Sequence, residues 1–232
     1  MSEQKNECSH LYFVKIETAA HQENNAMPKG SPELTNARRE EIIAACEVLY
    51  QKLGFKEVTI KEIAQYTSMS RPSIYNYFET KEEIFLAILQ REYLLWVKAL
   101  DQEIQDHEAM TMEEVADSLA RTLCERTLIL KILSMNHYDM EANSREERLA
   151  QFKKAYGATF DAVDRLLRKF CPEKSEEDRQ SFIYSFFPFI YGIYPYTHVT
   201  DKQKTAMEQA EIPFIYHSAY DITYRCAIKL LT

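Results

Sequence analysis

The chain has 232 residues, 46% of them hydrophobic and 28% charged, with a net charge of −8. At roughly 150 residues per domain this is one or two domains, ample for a sizeable core. Only 4 glycines and 7 prolines are present, which excludes collagen-like and low-complexity classes. The scarcity also disfavours sheets joined by tight turns and Gly-rich phosphate loops, so the expected fold is all-α.

Five cysteines (Cys8, Cys46, Cys124, Cys171, Cys226) are scattered without C-x-x-C spacing. Neither a disulfide framework nor a zinc cluster is signalled. No metal or cofactor is expected, and a reducing cytoplasm is the simpler compartment. The first twenty residues lack a basic segment followed by an apolar one, so no secretory signal is read there.

Residues 1–33 read as a flexible arm ending in Met27-Pro28-Lys29-Gly30-Ser31-Pro32, with Met27 an alternative start. From Leu34 the pattern is helical. Ile42, Cys46, Leu49 and Leu53 fall at i, i+4, i+7 and i+11, and Gly54 is placed to cap the C-terminus. Thr59-x-x-Glu62 and Thr80-x-x-Glu83 match capping boxes. The first opens a short helix to Gln65 or Tyr66, the second a long one to about Ile104. Between them Ser70 can cap a third helix, with Pro72 in its first turn, running about two turns to Tyr77 or Phe78. Three helices over 34–81, with a turn of about four residues before the last, are the layout of a helix-turn-helix module.

Beyond it, helices are predicted over roughly 111–135, 145–170, 175–197 and 212–231. Residues 180–200 carry no Asp, Glu, Lys or Arg, a length that could span a bilayer. Four tyrosines, two prolines, a glycine and a histidine make a buried helix at a subunit interface the better reading. The charge is uneven: residues 1–33 carry −2, residues 34–81 +1 and residues 82–232 −7. The acidic whole does not exclude nucleic acid, because DNA is read by one local face.

Ile63, Ala64, Met69, Ile74 and Phe78 are expected to form a small core against the first helix. With Ile74 and Phe78 facing inward, Arg71, Pro72, Ser73, Tyr75, Asn76 and Tyr77 turn to other faces. Arg pairs bidentately with guanine and Asn with adenine, while Ser and Tyr reach phosphates or base edges. Ser70 opens this segment. Such a helix enters the major groove by its N-terminal residues.

The run Thr59-Ile-Lys-Glu-Ile-Ala-Gln-Tyr-Thr-Ser-Met-Ser-Arg-Pro-Ser-Ile-Tyr-Asn-Tyr-Phe-Glu-Thr-Lys-Glu-Glu-Ile resembles the N-terminal domain of the TetR (tetracycline-repressor) family. The likeness reaches back through Leu53-Gly-Phe and Arg39-Glu-Glu-Ile-Ile-Ala-Ala-Cys and covers about 50 residues. It implies base contacts by Lys61, Arg71, Pro72, Ser73 and Tyr75, and phosphate contacts by Thr59, Tyr77 and Lys81. In one departure, Ser68 stands where the family's turn has a left-handed glycine. A serine held there at positive φ is expected to cost about 1 kcal/mol.

For residues 82–232 the resemblance implies a helical ligand-binding and dimerisation domain. Between Phe182 and Tyr224 lie 12 of the 28 aromatic residues, so the helices over 175–197 and 212–231 are the expected dimer interface. A homodimer would set two recognition helices about 34 Å apart on a palindrome. Candidate liners of a small-molecule pocket are Tyr93, Trp96, His137, Tyr138, Phe152, Tyr156 and Tyr184. No catalytic motif is present, and the six histidines (His10, His21, His107, His137, His198, His217) are dispersed. The expected function is therefore a ligand-responsive DNA-binding repressor, not an enzyme. The alternative is a helical adaptor that binds a protein in place of DNA.

Overall fold

In the computed structural model, residues 30–232 are described, except for the side chains of 135–137. Most of the expected arm, with Met27, lies outside the described residues. Ten helices are present among them, and no strand. α1 is Pro32–Lys52, α2 Ile60–Gln65, α3 Arg71–Ile74, α4 Lys81–Asp106 and α5 Met112–Cys124. α6 is Thr127–Ala142, α7 Glu146–Phe170, α8 Glu176–Thr197, α9 Asp201–Gln209 and α10 Ala219–Leu231.

By its contacts the chain divides at residues 40 and 41. In the first unit, Ser31 begins α1 by accepting a hydrogen bond from the Leu34 amide at 3.2 Å. The second unit holds everything described below. There α1 buries Ile42, Ile43, Cys46, Leu49 and Tyr50 with Ile63 of α2, Met69 of the turn, Ile74 of α3 and Phe78 beyond it. Ala64 is only partly buried. Leu53, read as the last residue of the stripe, is 37% exposed because α1 has already ended at Lys52. Gly54 does not cap that end in a left-handed conformation; its carbonyl instead accepts the amides of Glu57 and Val58.

Phe85 of α4 packs edge-on against Tyr50, with ring centroids 4.9 Å apart, and against Phe55 at 4.8 Å. The first turns of α4 thus complete the core of the helix-turn-helix. Farther along, α4 lies on α6 and α7, and α8 covers α6 and α7; α10 packs on α5 and α8. The arrangement is helix on helix, with α4 as the central member.

Several predicted elements differ in detail. The helix expected over 111–135 breaks at Glu125-Arg126 into α5 and α6. Arg126, at the break, stays largely covered, with its guanidinium 3.7 Å from the Glu92 carboxylate. α3 is a single turn and not two, followed by hydrogen-bonded turns through Phe78. The helix expected over 212–231 begins only at Ala219, where Ser218 and Asp221 form a full capping box. α9 lacks any buried residue, so no apolar period marks it in the sequence. Thr59 and Thr80 each accept the amide three residues on, but their glutamates do not return the bond as a complete box would.

Candidate DNA-reading surface and effector core

The turn between α2 and α3 is closed from outside. Ser68 donates both its backbone N–H and its hydroxyl to the Glu41 carboxylate, the hydroxyl at 3.1 Å. The only non-glycine residue at positive φ among those described is Glu211, so the left-handed strain expected at Ser68 is absent. Thr67 adds a second brace, its hydroxyl lying 3.3 Å from the Ala64 and Met69 carbonyls.

Ser70 caps α3, accepting the Ser73 amide at 3.4 Å with its hydroxyl 2.9 Å from that of Ser73. With Ile74 and Phe78 fully buried, the remaining faces turn outward. Arg71, Pro72 and Asn76 are exposed, Tyr75 is 41% exposed, and Ser73 and Tyr77 are half-buried. Arg71 donates to the Tyr75 hydroxyl at 3.2 Å, its guanidinium 5.7 Å from the ring centroid. The tyrosine therefore holds the arginine in one direction. Thr59 and Lys61 are exposed at the start of α2. Lys81, half-buried, donates to the Phe55 carbonyl at 2.5 Å and sits 4.2 Å from that ring's centroid.

The residues from Thr59 to Lys81 thus lie on one short, continuous stretch of the fold. The liners predicted for the effector do not all meet. Tyr93, Phe152 and Tyr156 form a triangle of rings with centroids 5.5 to 6.1 Å apart. Trp96 joins it through Phe187, which lies 5.9 Å from Trp96 and 5.7 Å from Tyr156. Tyr184 touches only the rim, 6.1 Å from Phe160, and is 70% exposed. Tyr138 is 87% exposed. The side chain of His137 lies outside the described residues.

Phe160, Phe187 and Tyr191 were missed from the sequence. Each is one or two turns from a predicted liner: Phe160 from Tyr156, and Phe187 and Tyr191 from Tyr184. Once Phe182, Phe186 and Ile190 point inward, Phe187 and Tyr191 follow on the core side of α8. Burial raises the Tyr93 phenol well above its ordinary range, and raises Tyr156 too. Burial, with the Tyr156 phenol nearby, raises Tyr191 as well. The Trp96 indole N–H donates to Thr122 at 3.0 Å, and Thr122 passes a bond to the Ser118 carbonyl at 2.7 Å. This is a packed aromatic core with a few satisfied polar groups.

No helix among the described residues is long and apolar enough to cross a membrane. No group of three His, Cys, Asp or Glu among them is placed to hold a metal ion.

Comparison with known proteins assigns both halves. Residues 42–88 match the profile for bacterial regulatory proteins of the tetR family, and residues 90–218 match the tetracyclin repressor-like C-terminal domain. An uncharacterized HTH-type transcriptional regulator of Bacillus subtilis, YfiR, is 26% identical over 61% of this chain and 69% of its own. The HTH-type transcriptional repressor KstR2 of Mycolicibacterium smegmatis is 26% identical over 38% of this chain and 43% of its own. Among solved structures, the fatty acid degradation regulator FadR of Bacillus halodurans superposes with a TM-score of 0.54 at 15% identity, covering 88% of this chain and 97% of that one. FadR of Bacillus subtilis, solved in complex with stearoyl-CoA, gives 0.54 at 14% identity, covering 83% and 96%. The adaptor alternative finds no support among these relatives. The chain belongs to the TetR family of helix-turn-helix transcription regulators.

Proposed function

We propose that this regulator represses transcription as a homodimer on a palindromic operator and leaves the DNA when the apolar chain of a small-molecule effector enters its C-terminal bundle. In this reading residues 34–81 are the reader and residues 82–232 the effector and dimer domain, in the cytoplasm. The observation that carries it is the recognition segment: Arg71, Tyr75 and Asn76 exposed on a turn whose other face is fixed by Ile74 and Phe78. Arg71, oriented by Tyr75, reads guanine and Asn76 reads adenine, with Lys61, Pro72 and Ser73 beside them. Thr59, Ser70, Tyr77 and Lys81 approach phosphates.

The dimer reading is supported by α8 and α10. Tyr184 and Tyr196 of α8 and Tyr220 of α10 are exposed large apolar side chains. Gly192 leaves open space where a Cβ would stand, so a second backbone can approach it. The effector proposed is a long-chain acyl thioester of the kind named for the Bacillus subtilis FadR structure. Its chain would have to part the rings of Tyr93, Phe152, Tyr156 and Phe187.

The test is selection from random duplex DNA, then binding to the selected site with and without stearoyl-CoA. A two-fold-symmetric site released by the thioester is the expected result. An unsymmetric site would remove the dimer reading, and release by no acyl thioester would remove the effector class.

A further inference from the structure

The recognition segment is too short to hold its own shape. An isolated helix of one turn does not persist in water, and α3 has four residues. Its start is secured by the Ser70 cap and its inner face by Ile74 and Phe78. The segment then leaves the helix through turns in which the Asn76 amide donates to the Ser73 carbonyl at 3.3 Å and the Tyr77 amide to the Ile74 carbonyl at 2.9 Å. What secures the far end comes from α7, 71 residues later in the chain.

The Arg148 guanidinium donates to the Tyr77 carbonyl at 3.1 Å and stands 5.7 Å from the centroid of the Phe78 ring. Its other nitrogen donates to Gln151 at 3.2 Å, which fixes its direction. Beside it, Arg145 forks onto the buried Glu83 carboxylate at 2.6 and 2.7 Å, and adds its own amide at 3.2 Å. The Thr80 hydroxyl donates to the Asn143 carbonyl at 2.9 Å. The first turn of α7 and the residues before it therefore grip the chain from Tyr77 to Glu83.

One turn farther along, the same helix enters the aromatic core. Phe152 is four residues beyond Arg148, on the same face one turn on, and its ring lies 6.0 Å from that of Tyr93. The rings that an effector would part and the arginine that holds the recognition segment are thus neighbours on one rigid element.

We infer that Arg148 is a positioning residue for DNA reading, holding the end of the recognition segment by the Tyr77 carbonyl and the Phe78 ring. The inference rests on the reading of Arg71 to Tyr77 as the DNA-reading segment. It adds that the segment's shape depends on a side chain from the effector half. Displacing α7 loosens the reader without removing any DNA-facing side chain.

The experiment uses the full chain and the variants Arg148→Ala, Arg148→Lys and Arg148→Gln. Three quantities are read: affinity for the selected operator, affinity for a scrambled duplex of equal length at the same salt, and hydrogen exchange of the amides of Asn76, Tyr77 and Phe78. In Arg148→Ala, operator affinity falls at least tenfold, scrambled-duplex affinity stays within twofold, and the three amides exchange faster. Arg148→Lys keeps a donor and a cation near Phe78 and returns operator affinity to within threefold of wild type. Should Arg148→Ala fail to melt cooperatively, Arg148→Gln takes its place, with a smaller loss in the same direction. Unchanged operator affinity, equal loss on both duplexes, or unchanged exchange overturns the inference. If the wild-type chain selects no DNA at all, the DNA reading fails instead, and the exchange comparison alone decides whether Arg148 holds the segment.

Discussion

Glu41 and Ser68 lie 27 residues apart in sequence, and the carboxylate of the first receives both the backbone N–H and the hydroxyl of the second. This bond pair explains how the turn forms without a glycine. The carboxylate draws the Ser68 amide toward α1, and the backbone stays in the ordinary φ range. Two opposed expectations follow for Ser68→Gly. If the serine were strained, glycine would stabilise the fold. Because it is bonded and unstrained, glycine removes a hydrogen bond and adds freedom to the unfolded chain, at a cost of about 1 kcal/mol. Glu41→Ala leaves a backbone amide without its partner and costs about 1–2 kcal/mol. Urea denaturation of the two variants separates these cases by sign.

Glu83 gives the fold an acid-sensitive contact. Burial raises its pKa, but the Arg145 side chain and the amides of Glu79 and Arg145 outweigh burial and hold the carboxyl below the usual range. A carboxylate depressed in the folded state adds stability that is complete above its unfolded pKa of about 4.3 and is lost as pH falls through the folded value. Glu83→Gln removes the anion from an Arg145 that stays part-exposed and paired with Glu79 at 3.1 Å, and is expected to cost about 1–2 kcal/mol at pH 7. Chemical denaturation at intervals from pH 7 to pH 3 should show the wild-type advantage shrinking only below about pH 4. An advantage independent of pH would assign the effect to packing and not to charge.

The sequence was most informative where local rules and burial agree. Ile74 and Phe78 were placed inward by spacing alone, and that placement turned Arg71, Tyr75 and Asn76 outward. Ser70, Pro72 and the hydroxyl of Thr80 act locally, within three residues, and were legible for that reason. The contacts that hold the reader in shape were not. Glu41 with Ser68, Arg145 with Glu83, and Arg148 with the Tyr77 carbonyl join positions 27, 62 and 71 residues apart. No periodicity encodes such pairs. Glu83 in particular fits a capping box, yet its carboxylate accepts from the Glu79 amide at 2.9 Å and from Arg145, leaving the Thr80 amide aside. In the bundle, Tyr138 and Phe187 show the same limit. Aromatic identity marked Tyr138, and only the orientation of α8 reveals that Phe187 is the ring at the centre.

DNA contacts of two kinds should separate by their salt dependence. Arg71→Ala is expected to cost about 1–3 kcal/mol at one base position while relaxing specificity there. Tyr75→Phe removes the hydroxyl that receives Arg71 at 3.2 Å and should cost about threefold in operator affinity, a small fraction of the arginine's effect. Lys81→Ala acts differently. It weakens binding to all sequences and lowers the salt slope by about 1. It also lowers the melting temperature, because Lys81 is bonded to the Phe55 carbonyl in the free protein. Fluorescence anisotropy on matched and mismatched duplexes at two salt concentrations gives affinity, specificity and salt slope, and thermal denaturation gives the melting temperature.

Trp96 offers a direct readout of the proposed effector core, since it is the chain's 1 tryptophan and is fully buried. Its ring lies 5.9 Å from Phe187, and its N–H is committed to Thr122 at 3.0 Å. Thr122→Val keeps the shape but leaves the indole N–H without a partner, at an expected cost of about 1–3 kcal/mol. An acyl chain that parts Phe187 from Tyr156 must change what surrounds the indole, so titration with stearoyl-CoA should shift Trp96 emission in parallel with operator release. Phe187→Leu shrinks the central ring and should move both titrations together to lower effector concentration, provided the bundle still melts cooperatively. Release that proceeds with Trp96 emission unmoved would place the effector away from these rings and leave the aromatic core as packing alone.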